Sequence, residues 1–194
     1  MSHPELSILI PAAGASDRLG QAKQLVKHKG SSLIQNAVNI AFSLAPREII
    51  VVTGANAEAI RETVLNPPVH WIHNPHWSTG MGGSIALGAA SISTGSTGLM
   101  ILLCDQWRIR PRDLQTLADT WQSNPERIVC AEAEGINMPP VIFPSACFNE
   151  LKQLQGNTGA RSLFDKHPHL LQPIPIKNAA IDLDTPAQLD NMEE

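Results

Sequence analysis

The chain has 194 residues, enough for one domain (residues 1–194) whose core needs neither disulfides nor metal. Its 43% hydrophobic and 16% charged residues are those of an ordinary globular protein and exclude a disordered chain. Lys and Arg number 14 against 18 Asp and Glu, and the net charge of −4 excludes the basic footprint of non-specific nucleic-acid binding, so a phosphate ligand must be met by a few placed cations and backbone N–H groups.

Residues 6–10 are apolar apart from Ser7 and predict a first strand, ended by Pro11 and the small-residue loop Ala12-Ala13-Gly14-Ala15-Ser16. A helix is predicted over 32–44, with Leu33, Ile34, Ala37, Val38 and Ala41 on one face and Pro46 as its stop. Residues 48–52 form the second strand, closed by Thr53-Gly54, and Asn56 is expected to cap a helix reaching about residue 65. A short third strand at 69–72 precedes the glycine-rich turn 78–84, which opens a helix to about residue 92. Residues 99–104 are the fourth strand, running into Asp105. A helix from Pro111 to about residue 121 follows, with proline at its first position, and then a strand at 128–131. Residues 139–143 read as extended, 146–154 as helical, and 156–159 as a break before a short helix at 161–164. Thr185-Pro186-Ala187-Gln188 starts a final helix, with a threonine cap, proline at N1 and glutamine at the capping-box position. Strands buried on both faces and alternating with helices predict an α/β fold: a three-layer α/β/α sandwich around a mostly parallel sheet.

Cys104, Cys130 and Cys147 are odd in number and widely spaced, which excludes a disulfide framework and any CxxC motif; buried reduced thiols are expected. The first residues lack the pattern of a signal peptide, and no apolar run reaches the roughly 18 residues of a membrane span, so the cytoplasm is the expected location. His70, His73 and His76 do not converge on one face of an extended segment, and solvent-facing histidines are expected rather than a zinc site.

A parallel sheet binds ligands at the carboxyl ends of its strands, where three features meet: the loop after the first strand, Asp105, and the pair Asp182/Asp184. Small residues in the loop let backbone approach a triphosphate, and Arg18 and Lys23 supply cations. The loop is not a P-loop, for want of Gly-Lys-Ser/Thr, and not a dinucleotide fingerprint, for want of GxGxxG and of an acidic residue after the second strand. Near a helix start, Asp182 and Asp184 also suit compensation of the helix dipole.

Ala12-Ala13-Gly14-x-Ser16-x-Arg18-Leu19-Gly20-x-x-Lys23 resembles the signature of nucleotidyltransferases with a GT-A-like, nucleotide-diphospho-sugar transferase-like fold, and more closely the molybdenum cofactor cytidylyltransferase branch of the molybdopterin nucleotidyltransferases. Asn74-Pro75-x-Trp77-x-x-Gly80-Met81-Gly82-x-Ser84-Ile85, Leu103-Cys104-Asp105-Gln106, Gly156-Asn157-Thr158-Gly159-Ala160-Arg161 and Asp182-Leu183-Asp184-Thr185-Pro186 are similar to four further blocks of that family, in order.

The resemblance implies transfer of a nucleoside monophosphate from an NTP to a phosphorylated acceptor, with pyrophosphate released. It implies Mg²⁺ on Asp105 and Asp184, with Asp182 as substitute, and Lys23 and Arg18 on the triphosphate. Ala12-Ala13-Gly14 implies CTP rather than GTP, the base resting against Thr53-Gly54 and the turn from Gly80 to Ser84. Trp107, Asn157 and Arg161 are expected at a molybdopterin acceptor, Trp107 by stacking on the pterin. The chain departs from the family at Pro11, at Ala22 and Trp107 where prolines are usual, and at Asn157 where aspartate is common; Trp107 bears on the acceptor's identity. Two other readings stand beside this one: transfer to a different phosphorylated acceptor such as a sugar or polyol phosphate, and a non-catalytic chaperone delivering cofactor to a client molybdoenzyme.

Overall fold

In a computed structural model that describes residues 3–66, 68–190 and 192, the first apolar run is the central strand β1, His3–Ala12. Its Leu6, Ile8 and Ile10 pack into one core and Leu9 into another, so both faces are dry and the run needs no alternation. Ser7 is fully buried too; its hydroxyl donates to Glu48 Oε1 at 2.8 Å, which satisfies the one polar interruption.

A small hairpin, β2 (Lys27–His28) and β3 (Ser31–Ser32), leads to α1, Leu33–Phe42. Ser32 caps α1 by accepting from Gln35 N at 3.1 Å, and the five apolar residues of the expected face are all buried. Pro46 opens β4, Pro46–Thr53. The next helix, α2, is Ala57–Thr63; Asn56 stands at its N-cap with φ 56° but makes no side-chain cap bond, the left-handed backbone carrying the turn instead. Then come β5 (His70–His73), α3 (Met81–Ala90), β6 (Gly98–Ile101) and α4 (Pro111–Ser123). β6 ends at Ile101, three residues short of the expected Cys104, because its ladder with β1 runs out at Leu9 and the chain turns across the strand ends.

The remaining elements are β7 (Ile128–Ala133), β8 (Ile136–Pro144), α5 (Phe148–Leu151), α6 (Ser162–Lys166), β9 (Leu171–Pro175) and α7 (Pro186–Asp190). The helix expected over 146–154 is instead a 3-10 turn, Ser145–Cys147, continued by the single turn of α5. The sheet order is β5-β4-β1-β6-β8-β7-β9, parallel except for β8, which pairs antiparallel with both neighbours. β8 reverses because Glu134 and Gly135, both with positive φ, close a tight hairpin with β7. β9 carries Pro173 and Pro175, which hid it from sequence patterning and suit its place at the sheet edge.

One core joins the sheet to α1 and α4 through Ile34, Val38, Leu114, Leu117 and Trp121; the other joins it to α3, α5 and α6 through Ile85, Ala89, Leu151 and Leu163. Two helical layers thus enclose the sheet, the three-layer sandwich expected. Each fully buried Leu or Ile contributes about 1.5–3 kcal/mol relative to exposure, so the frame is stiff independently of the loops at its carboxyl edge. All three cysteines are buried and unpaired, and burial pushes the Cys104 thiol up to about 12 and those of Cys130 and Cys147 to about 11. Among the described residues no helix is long and apolar enough to cross a membrane.

Candidate active site

Chain order reverses between β1 and its two parallel neighbours, β4 on one side and β6 on the other, and such a switch point leaves a crevice outside the carboxyl ends of the strands. A cleft of about 450 Å³ opens there. Ala13, Gly14, Ser16, Arg18 and Lys23 reach it from the loop after β1; Trp77, Gly80, Met81 and Ser84 from the turn into α3; Asp105, Asn157 and Asp184 from later segments.

The loop after β1 is held by its own polar groups. Gln24, almost fully buried, donates from Nε2 to the carbonyls of Gly14 at 2.9 Å and Ala12 at 3.3 Å. Ser16 Oγ accepts from Lys23 N at 3.3 Å, and Ala55 N donates to Ala13 O at 2.9 Å. The sequence did not single out Gln24; a glutamine directly after the loop lysine was the available signal, and its burial shows only in the fold. Pro11 and Cys104 are further lining residues that sequence reading left without a role, and Met81 lines the cleft from the turn expected against the base.

Four charged side chains from three remote segments meet in the cleft. Lys23 Nζ donates to Asp105 Oδ2 and, at 3.0 Å, to Asp184 Oδ1; Arg18 donates to Asp184 Oδ2 at 2.8 Å. The final segment is brought there by backbone, Leu183 N donating to Asp105 O at 3.1 Å. It is then held by Gln188, whose Oε1 accepts from Asp184 N and Thr185 N at 2.8 and 2.9 Å. This is the glutamine half of the expected capping box.

Burial disfavours the Lys23 charge, but the Asp105 and Asp184 carboxylates outweigh it and hold the ammonium above the ordinary lysine range. For Asp184, burial pushes the pKa up, and the hydrogen bond and charge of Lys23, with Arg18, more than reverse that and bring it down. Asp182 goes the other way: burial, then the charges of Asp105 and Asp184, raise it. Of the acidic pair only Asp184 lines the cleft, while Asp182 accepts from Gln188 Nε2 at 3.3 Å.

Asp105 is 9% exposed, and its second oxygen, Oδ1, is buried with no partner. Such an oxygen costs about 1–3 kcal/mol or more unless something meets it. Two carboxylates with a free buried oxygen fit a hard divalent cation, which takes oxygen ligands and keeps several waters. Among the described residues no group of three or more His, Cys, Asp or Glu is placed to hold a metal, so a cation here would need substrate phosphates and water to complete its shell. His70 and His73 point to solvent from β5, as expected of that histidine run.

Several expected contacts lie elsewhere. Ala12 is buried beneath the loop. Thr53 is fully buried, its hydroxyl donating to Ile72 O at 3.3 Å, and Gly54 is covered by the Trp77 side chain and Ala13 O; neither lines the cleft. Trp107 leaves the Asp105 turn in the other direction and packs beside Leu19, Leu33 and Leu183. Arg161 is exposed at the start of α6 and does not line the cleft.

Asn157 does reach the cleft, because Gly80 and Gly82 let the 155–158 turn sit on the start of α3. A Cβ on Gly82 would lie 2.7 Å from the carbonyl oxygens of both Gln155 and Thr158. Gly82→Ala is therefore expected to destabilise the protein by about 1–3 kcal/mol, the usual cost of overpacking, and to displace Asn157. Urea unfolding measures the first effect; an unchanged midpoint would show that the turn yields freely.

Residues 8–170 match the family model described as the MobA-like NTP transferase domain. Among curated proteins, the chain is 29% identical to the purine catabolism protein PucB of Bacillus subtilis, over 84% of this chain and 82% of that one. It is 27% identical to nicotine blue oxidoreductase of Paenarthrobacter nicotinovorans over 96% and 95%, and 22% identical to the molybdenum cofactor cytidylyltransferase of Escherichia coli over 93% and 92%. The fold is that of the crystal structure of Rv0371c from Mycobacterium tuberculosis H37Rv, with a TM-score of 0.87 at 22% identity, covering 99% of this chain and 98% of that one. The family match runs through the loop after β1, the Asp105 turn and the Asn157 turn. By that match the chain belongs to the MobA-like NTP transferase family and is a nucleotidyltransferase.

Proposed function

We propose that the enzyme, acting as a single domain in the cytoplasm, transfers CMP from CTP to a molybdopterin-type molybdenum cofactor and releases pyrophosphate, the product passing to a client molybdoenzyme. The observation that carries this reading is the meeting of Lys23, Arg18, Asp105 and Asp184 in one cleft, with Asp105 Oδ1 left unpartnered. The likeness to the Escherichia coli molybdenum cofactor cytidylyltransferase supports the acceptor, and Ala12-Ala13-Gly14 supports CTP.

An acceptor phosphate is already anionic, so the reaction needs positioning and charge neutralisation more than a general base. Lys23, held as an ammonium, is unsuited to be a base and suited to neutralise phosphate oxygens. Arg18, mostly exposed at the mouth of the cleft, is free to swing from Asp184 to the β and γ phosphates. Mg²⁺ would be held by Asp105 and Asp184, with Asp182 in reserve, and would supply further neutralisation of the triphosphate; a solved structure of Rv0371c in complex with manganese supports a divalent ion. Gly14, Gly80 and Ser84 offer backbone and hydroxyl groups to the nucleotide, and Asn157 faces the acceptor.

A second reading, transfer to another phosphorylated small molecule, is favoured by Trp107, which lines a different pocket from the one where a pterin would stack. Pyrophosphate release, measured with Mg²⁺, each NTP and a panel of acceptors, separates the two. The wild-type protein is expected to prefer CTP to GTP. Changing Ala12 and Ala13 together to glycine should relax that preference by about tenfold, through the Ala13 methyl that lines the cleft and the looser backbone left where Ala12 is buried beneath it. Better use of GTP than CTP by the wild-type enzyme would refute the role given to this loop.

A further inference from the structure

Beyond the Asp105 turn lies a second concavity, of about 540 Å³, that shares no lining residue with the first cleft. Trp107, packed with Leu19, Leu33 and Leu183, stands between them. Lys29, Arg108 and Arg110 line it together with His28, and no Asp or Glu does. On a chain of net charge −4 this is a concentration of one sign of charge. Among the described residues, none of these three cations is ion-paired with a carboxylate.

Arg108 is also placed by packing, and the backbone of Lys29 by its turn. The Arg108 guanidinium lies 4.6 Å from the centre of the Trp107 ring, and His28 packs on the same indole at 4.8 Å. Lys29 takes the first place of the β2–β3 turn with φ 52°, a left-handed position that favours Asn, Asp or Gly. A lysine there is held against local propensity, and it faces the pocket. Burial lowers the His28 pKa, and the charges of Lys29 and Arg108 lower it further.

We propose that this pocket is a second ligand site, distinct from the transfer cleft, which takes a phosphoryl-bearing anion on Lys29, Arg108 and Arg110. Like-charged walls around a concavity concentrate anions, and two guanidinium forks present paired donors to phosphoryl oxygens. Arg108 and Arg110 belong to the turn that begins at Asp105, so an anion seated here bears on the same segment that lines the transfer cleft. The proposal does not depend on the nucleotide or acceptor used in that cleft.

Calorimetric titration of the whole protein at low salt, without divalent metal, tests it with sodium pyrophosphate and, separately, with glycerol 3-phosphate. The wild-type and the Arg18→Ala/Lys23→Ala proteins are both expected to bind at least one probe; in the latter, tighter pyrophosphate binding marks an oligophosphate ligand, tighter glycerol 3-phosphate binding an organic phosphate. Because these probes also suit the transfer cleft, the Arg18→Ala/Lys23→Ala protein is the background for the test: it should keep one binding event, which adding Arg108→Ala/Arg110→Ala should weaken by about tenfold or more. Lys29→Ala, at an exposed turn, is the check should the double variant fold poorly, and it too should bind more weakly. No binding to the Arg18→Ala/Lys23→Ala protein, or undiminished binding when Lys29→Ala or Arg108→Ala/Arg110→Ala is added to it, would overturn the proposal. With Arg18 and Lys23 removed the titration does not report on the transfer cleft, so the result stands apart from the success or failure of the transfer assay.

Discussion

Asp105→Ala is expected to lower the rate of nucleotidyl transfer by roughly 100-fold or more, the effect of removing one strong electrostatic group from a preorganised site. The fold should survive. Asp105 anchors the final segment through its backbone carbonyl, which accepts from Leu183 N and is untouched by the change. What is lost is a carboxylate with one oxygen on Lys23 and the other buried and unpartnered. Asp105→Asn separates charge from shape, since it keeps the size of the side chain and loses the anion; both variants should be equally inactive. Pyrophosphate release at saturating Mg²⁺, with circular dichroism as the folding check, measures the effect. Near-wild-type turnover in either variant would remove Asp105 from the metal role.

Lys23→Ala should cost kcat more than it raises KM for CTP, because the ammonium matters most as negative charge moves toward pyrophosphate. The structure adds a second signature. Lys23 sits between Asp105 and Asp184, where it competes with a divalent cation. Without it the carboxylates face each other with less compensation, so the metal concentration giving half-maximal activity should fall even as kcat drops. The melting temperature should fall without metal and recover when Mg²⁺ is added. Arg18→Ala should instead weaken CTP binding evenly, since its pair with Asp184 is at the surface, where such pairs contribute about 0–1 kcal/mol to stability. Unchanged kcat and KM in both variants would leave the loop after β1 without its phosphate role.

Local pattern carried much of the fold. Both sides of β1 are buried, so residues 6–10 read as an uninterrupted apolar run, and the buried face of α1 repeats with the helical period. Where an element owes its conformation to neighbours rather than to period, the reading slipped. β9 is a strand because β7 offers an edge to pair with, not because Leu171–Pro175 has strand composition. Asn56 starts α2 through a left-handed backbone and not through its side chain.

The site divides in the same way. By itself the sequence determined the residue types and their order: a small-residue loop with Arg18 and Lys23, an aspartate after an apolar strand, and an acidic pair ahead of a capped helix. Those are local properties, set by which side chains let a backbone turn tightly or carry charge. Only the tertiary structure decided which of them meet. Lys23 and Asp184 are joined across 161 positions, and Asp184 rather than Asp182 faces the cleft because Leu183 is pinned to Asp105 by its backbone. Trp77 covers Gly54, and Trp107 turns to a separate basic pocket, since the facing of a side chain at a strand end is settled by what packs over it.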